Sequence, residues 1–239
     1  MTLKETIYCR KSTRSYTGEA VDQAVLDDIL AFAAQAKPLI PGIRVCARIL
    51  TASQVSCIQS WKTPHYLAFF SEEKELWREN IGFVFQQLDL YIQSLGLGSC
   101  WVGMGHVTDE SACPEGMKLA ILMPFGVAKE NPHREIADFK RKEMGEIADL
   151  IDKRLEPARL APSATNSQPW YFIHDEKEIH ACQVILGPVK QRMLGRFNCM
   201  DMGIALAHLY VSYPESFEFF LADNPPQKDG YRYMGSFRI

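Results

Sequence analysis

The stretch from Glu75 to Leu95 limits the possible folds more than any other part of this chain. Ile81, Phe83, Val84, Phe85, Leu88, Leu90, Tyr91, Ile92 and Leu95 leave almost no polar side on a helix drawn through them. Such a helix has to be covered all round, so it is expected at the centre of the molecule. Gly96-Leu97-Gly98 supplies its stop. Before it, residues 3–9 read as a short helix and Val21 to Ala36 as a longer one. The longer helix carries Val25, Leu26, Ile29, Leu30 and Ala33 on one face and Asp27 and Asp28 opposite. Lys37-Pro38 ends it. Ile43–Ala52 and Tyr66–Phe70 are rich in β-branched and aromatic residues and read as strands. Strands are also expected at Ser99–Gly103 and Leu119–Gly126.

A polar stretch, Lys129 to Arg141, leads into a second set of elements. It reads as a helix over Met144–Leu160, strands at Tyr171–Ile173 and Ile179–Leu186, a helix over Met200–Ser212, and strands at Phe217–Leu221 and Tyr231–Phe237. Both sets therefore run helix, strand, strand, helix, strand, strand. Leu26-x-Asp28 followed by Ala34 and Pro38 matches Leu150-x-Asp152 followed by Ala158 and Pro162 without a gap, and Gly82 matches Gly203. The pattern reads as a duplication, with a first half at residues 1–141 and a second at 142–239.

The totals exclude several classes. A formal charge of −3 over 239 residues gives no reason to expect a polyanion partner, and no basic stripe carries interleaved aromatics. No apolar run approaches the ~18 residues of a membrane span, and Met1-Thr2-Leu3-Lys4-Glu5 lacks the hydrophobic core of a signal peptide. The expectation is a cytoplasmic protein with neither nucleic acid nor membrane as partner. Seven scattered cysteines show no Cys-x-x-Cys spacing, and the six histidines show no ligand spacing. No metal site is expected, and most cysteines read as small buried hydrophobes. No Ser-His-Asp set or paired carboxylates suggest a protein acid or base.

One loop does carry chemistry. Ala161-Pro162-Ser163-Ala164-Thr165-Asn166-Ser167-Gln168-Pro169-Trp170 is held between two prolines, which keep its backbone out of the preceding helix. Ser163, Thr165, Asn166, Ser167 and Gln168 donate and accept hydrogen bonds without carrying charge. Such a surface suits the edge of a planar heterocycle and suits a metal or a bare phosphate poorly. The plain alternative is a polar turn with Trp170 packed behind it.

This run resembles the Pro-Ser-x-x-Asn-x-Gln-Pro-Trp loop of the FMN-dependent nitroreductase family. In that family the loop lies near the amino terminus, whereas here it lies two thirds of the way along. The resemblance continues in the first half. Arg10-Lys11-Ser12-Thr13-Arg14 is similar to the family's Arg-x-Ser-x-Arg segment. Gly96-Leu97-Gly98-Ser99-Cys100-Trp101-Val102-Gly103 resembles its Gly-Leu-Gly-Ser-x-Trp-x-Gly turn, and Leu122-Met123-Pro124-Phe125-Gly126 its strand ending in Pro-x-Gly. Lys140-Arg141-Lys142 stands where the family has its late basic residues. At the asparagine-loop position the first half has only Lys37-Pro38-Leu39-Ile40-Pro41. The second half has the loop but no basic segment, and Ser212-Tyr213-Pro214-Glu215 replaces the glycine turn.

The losses are complementary. The resemblance implies an α+β, nitroreductase-like fold of mostly antiparallel sheets packed with helices. Two fused halves would mimic the family's homodimer, act as a monomer, and keep one of two interface sites. It also implies FMN as cofactor, NADH or NADPH as donor, and a nitroaromatic, quinone or similar small molecule as acceptor. Arg10, Lys11, Ser12 and Arg14 would hold the phosphate, closed from the other side by Lys140 or Arg141. Gly96, Leu97, Gly98 and Ser99 would lie against the ring, with glycine allowing close approach. Pro162, Ser163, Ala164, Asn166 and Gln168 would meet its carbonyl and imide edge, and Trp170 would pack beneath the loop. The chemistry would be the flavin's, with no catalytic side chain. The alternative is a degenerate protein of the same fold that binds flavin without turnover, or a non-catalytic scaffold.

Overall fold

The computed structural model describes residues 1–57, 61 and 63–239. The first half contains α1 (Leu3–Ile7), α2 (Gln23–Gln35), β1 (Val45–Thr51), β2 (Val55–Cys57), β3 (His65–Ser71), α3 (Trp77–Ser94), β4 (Gly98–Ser99), β5 (Gly105–Val107) and β6 (Lys118–Gly126). The second contains α4 (Met144–Ile147), α5 (Glu156–Arg159), β7 (Trp170–Asp175), β8 (Glu178–Val184), α6 (Pro188–Ser212), β9 (Glu218–Phe220) and β10 (Tyr231–Arg238).

Two four-stranded sheets form, in the orders β1-β3-β6-β4 and β7-β8-β10-β9. All the pairings within them are antiparallel. Once the two-stranded ribbon β2-β5 is set aside, each sheet places its strands first, second, fourth, third. In both halves the long helix lies between the second and third strands in sequence.

That helix, α3, is buried along its length as its composition requires: 14 of its 18 residues are buried, including Asn80, Gln86, Gln87, Asp89 and Gln93. Its partner is α6. The two cross at glycines in a reciprocal way. A Cβ on Gly82 would lie 2.0 Å from the Met200 carbonyl oxygen, and one on Gly203 would lie 1.8 Å from that of Glu79. Met200 precedes Gly203 by three residues, and Glu79 precedes Gly82 by three. The same two positions of each helix therefore face each other, as a two-fold relation demands. The crossing also exchanges side chains. Phe83 of α3 belongs to the apolar core of the second half, and Met200 of α6 to that of the first.

Several expectations need correction. The helix expected over Met144–Leu160 is broken. Ala148 is extended, at φ −149° and ψ 156°, and forms a parallel bridge to Phe172. Helix resumes as a 3-10 turn at Lys153–Leu155 and becomes α-helical at Glu156, where Pro157 can sit because a first-turn residue needs no N–H partner. Leu150 and Asp152 therefore do not occupy helical positions like those of Leu26 and Asp28. The α-helical stretches 32–35 and Glu156–Arg159 do agree, but just past them Ala36 is extended, at ψ 134°, where Leu160 is still helical, at ψ −8°. In the other direction, α6 starts at Pro188, well before the expected Met200, with proline in its first turn. The ribbon of β2 and β5 was not foreseen. Of the seven cysteines only Cys100 and Cys182 are buried.

Candidate functional site

The basic segment lies along the glycine turn. Ser12 forms a parallel bridge with Ser99, and the Thr13 amide donates to the Ser99 carbonyl at 2.9 Å. Gly98 is needed for this approach, since a Cβ there would stand 2.5 Å from Thr13 Oγ1. Gly96 is instead an exposed left-handed stop for α3, at φ +81°, and Leu97 packs against the core of the first half. Arg14 is exposed. Lys11 donates through Nζ to the Asn131 carbonyl at 3.0 Å and through its amide to Gln93 Oε1 at 2.9 Å.

Arg10 turns inward. Its guanidinium is 1% exposed and donates from Nε to Asp89 Oδ2 at 3.0 Å, with Asp89 wholly buried. The carboxylate also accepts from Gln86 Nε2 at 2.9 Å, Gln93 Nε2 at 3.0 Å and Ser99 Oγ at 2.6 Å. Gln86 in turn accepts from Trp101 Nε1 at 3.1 Å and meets His208 Nε2 at 3.2 Å. His208 Nδ1 lies 2.9 Å from the Pro157 carbonyl. The set is satisfied if His208 is neutral, with Nδ1–H donating to Pro157 and Nε2 accepting from Gln86. Burial pushes the pKa of His208 down to about 3, which keeps it in that form. This network joins the two halves through α3 and α6. Its charge is paired and hydrogen-bonded, as a buried charge must be.

The asparagine loop is held in an unfavourable conformation. Thr165, Asn166 and Gln168 have φ of 53°, 57° and 47°, three of the five left-handed non-glycine residues among those described. Each costs about 1–2 kcal/mol, least for asparagine. Local hydrogen bonds offset the cost. The Ala164 amide donates to both oxygens of Asp201 at 3.0 and 3.1 Å, and the Gln168 amide donates to Ser163 Oγ at 2.9 Å. Asp201 is buried, and that burial raises its pKa to about 8. Pro162 and Trp170 are buried behind the loop, and Trp170 packs in the core of the second half as expected.

The loop meets the end of the first half directly. Asn166 Oδ1 accepts from Arg141 Nη1 at 2.7 Å, and Asn166 Nδ2 donates to the Lys140 carbonyl at 2.9 Å. Gln168 Oε1 accepts from the Lys142 amide at 2.7 Å, and Lys142 Nζ donates to the Gln168 carbonyl at 3.1 Å. The Lys140 side chain itself is exposed. Arg141 also donates from Nε and Nη2 to the Leu160 carbonyl at 3.3 and 3.2 Å.

Beside it lies a residue that sequence reasoning did not single out. Arg134 donates from Nε to the Arg10 carbonyl at 3.0 Å and stacks on Phe139, 3.7 Å from the ring centre. Arg141 lies over the same ring at 5.5 Å. Both guanidiniums are half-buried. Among the described residues neither has a carboxylate within ion-pair distance. Burial, reinforced by repulsion between neighbouring arginines, lowers Arg134 to about 10 and Arg141 to about 9. The available signal was the pair of arginines bracketing one aromatic, Arg134…Phe139…Arg141, within a stretch that otherwise reads as a charged linker.

The start of the chain and the loop at 166 are therefore joined through Arg134, Phe139 and Arg141. Cations concentrated by the fold, with Asp138 near Arg134 but no carboxylate within ion-pair distance among the described residues, suit a phosphate dianion, so this donor set fits the tail of FMN. The amides of Asn166 and Gln168 bond to the backbone of Lys140 and Lys142 and to the Arg141 guanidinium, so meeting a flavin edge would mean exchanging those partners.

A protein-family model described as "Putative TM nitroreductase" matches residues 2–213. A solved structure described as a "putative nitroreductase" from Thermotoga maritima is 19% identical, spans 99% of this chain and 92% of its own, and superposes with a TM-score of 0.64. A nitroreductase family protein from Clostridium difficile 630 is 18% identical over 64% of this chain and 99% of its own, with a TM-score of 0.50. At these identities the likeness is one of fold. No curated protein matches the chain.

Proposed function

From the premise that this chain belongs to the family described as "Putative TM nitroreductase", we propose that it is an FMN-dependent oxidoreductase with one flavin site between two fused, duplicated halves. One observation carries this reading. Arg141, from the end of the first half, bonds Asn166, from the loop of the second, beside an unpaired Arg134 that is tied to Arg10. The amide loop and the cations meet although they come from different halves, as two complementary remnants should.

In this reading Ser12, Arg14 and Arg141 hold the phosphate side. Ser163, Asn166 and Gln168 orient the ring through its carbonyl and imide edge, and Gly98 and Ser99 set the backbone beneath the basic segment. Trp170 and Asp201 fix the loop that carries the amides. FMN held there would supply the hydride-transfer chemistry between NADH or NADPH and a nitroaromatic, quinone or similar acceptor, in a ping-pong sequence. The chain's share is to bind, orient and exclude water. The fused halves cover the surface that a single-copy relative buries between subunits, which supports a monomer. Among the described residues no helix is long and apolar enough to cross a membrane.

The purified protein is expected to be yellow, and NADH or NADPH should bleach its visible band. Bound flavin that neither donor reduces would remove the enzymatic part of the reading. Asn166→Ala should weaken FMN binding about tenfold, the worth of one or two hydrogen bonds, and, because it also removes the bonds to Lys140 and Arg141 and places alanine at φ 57°, should lower the melting temperature of the flavin-free chain by only a few degrees. Fluorescence quenching of added FMN measures the first and a thermal scan the second.

A second reading rests on the same loop. The side chains of Asn166 and Gln168 already bond to residues 140–142, and Arg10 is committed to Asp89. A chain that had given up flavin would close its site in this manner and remain as a scaffold. A colourless preparation that does not take up added FMN selects this reading.

A further inference from the structure

The family resemblance points to the first arginine of the Arg-x-Ser-x-Arg segment as a phosphate ligand, yet here that arginine is unavailable. Arg10 is 1% exposed and paired with Asp89, which also holds Gln86, Gln93 and Ser99. Bringing Arg10 to a ligand would strip a buried carboxylate of its only cation among the described residues, so the pair stays closed.

Arg134 stands one backbone group away. Its Nε is fixed by the Arg10 carbonyl and its plane by Phe139. The terminal nitrogens Nη1 and Nη2 carry four N–H groups, and these make no hydrogen bond to protein atoms among the described residues. Arg141 spends most of its donors on Leu160, Lys140 and Asn166. A rigid guanidinium with its fork unspent, set in a cluster of like charge, is built to receive a tetrahedral dianion bidentately.

We propose that Arg134 is the principal ligand for a phosphate monoester at this site, taking over from Arg10, which serves as a buried strut between α3 and the basic segment. The proposal rests on the flavin reading above and assigns its phosphate subsite to a residue outside the recognised motifs. The lowered pKa of Arg134 comes first from burial and then from repulsion by Arg10, against a smaller opposing pull from Asp138, and a bound dianion would offset both of the lowering effects.

The test compares FMN with riboflavin, which lacks the phosphate, by flavin fluorescence quenching on the full chain. Wild type should bind FMN at least tenfold more tightly than riboflavin, and the difference should shrink in high salt. Arg134→Ala should lose about tenfold or more for FMN and nothing for riboflavin, so that the two affinities converge. Arg134→Lys, which keeps the charge but not the fork, should fall between. If the alanine chain does not fold, Arg134→Gln is judged by the same ratio. A variant that keeps the wild-type preference for FMN overturns the proposal and leaves the flavin reading standing. So does a wild type that binds the two equally. A wild type that binds neither overturns both.

Discussion

Seven residues after its crossing glycine, α3 carries Asp89; seven residues after its own, α6 carries Tyr210. The two positions are equivalent about the reciprocal crossing, and their surroundings are opposite. Asp89 sits in a buried polar network with Arg10, Gln86, Gln93 and Ser99. Tyr210 sits among rings, with centres 5.5 Å from Phe83 and 6.0 Å from Phe217, and Lys37 Nζ lies 5.6 Å above it. One side of the molecule keeps charge in its interior and has cations around it. The other has been packed shut with aromatics. On the duplication reading, this is how one of two equivalent sites disappears: its polar groups give way to side chains that need no partner.

Other equivalent positions still match. Asn80 and Asp201 each lie two residues before the crossing glycine. Asn80 Oδ1 accepts from the amides of Leu39 and Ile40 at 2.9 and 3.0 Å, just as Asp201 accepts from Ala164. Gln87 and His208 each lie five residues after it, and both bind a backbone carbonyl of a preceding segment, Lys37 and Pro157 respectively. On the duplication reading, the scaffold has kept its symmetry while the chemistry around it has diverged.

The largest effect should come from the feature the halves share most closely. Gly82→Ala and Gly203→Ala each drive a methyl group into a backbone carbonyl. Each should cost at least about 3 kcal/mol, and the two costs should be similar, because the contact is reciprocal. Urea unfolding measures both; one variant that is well tolerated would break the two-fold relation.

The next test separates the halves. Asp89→Asn removes the counter-charge of a buried arginine and should cost about 3–5 kcal/mol. Tyr210→Phe, at the equivalent position, should cost less than about 1 kcal/mol, since its ring packing survives. Equal losses in the same unfolding assay would refute the contrast between a charged side and an aromatic one.

The smallest effect sharpens the comparison through pH. Asp201 titrates at about 8 in the folded chain, against an ordinary value of 3.8. Through that window the folded state holds a proton that the unfolded state has lost, so this group's contribution to stability falls as the pH rises. Asp201→Asn gives the second half the residue of the first and removes that dependence. The variant should match wild type near pH 4 and exceed it above pH 8 by about 1–3 kcal/mol. Urea titrations at the two ends of the range check this, and a variant whose stability falls with pH as steeply as wild type shows the assignment to be mistaken.

Hydrophobic pattern and motif were enough to read much of this from the sequence. A stretch whose large apolar side chains fall nearly all round a helix reads as a buried one, and the order of the elements around α3 and α6 follows from periodicity and from glycine and proline punctuation. The asparagine loop and the basic segment were legible as motifs because their residue types are local. What the sequence left undecided were choices of partner. Arg10 meets Asp89, 79 positions away, and no local pattern says that a motif arginine will turn inward to a carboxylate. Arg134 looked like linker charge until the fold set it on Phe139 beside Arg141. The helix expected at Met144–Leu160 broke because Ala148 found a strand to pair with, a contact with Phe172 that periodicity cannot see. Propensity and pattern act over a few residues, so the chain fixed its own elements. Charge pairing, burial and backbone pairing act across space, and only the packed molecule could decide them.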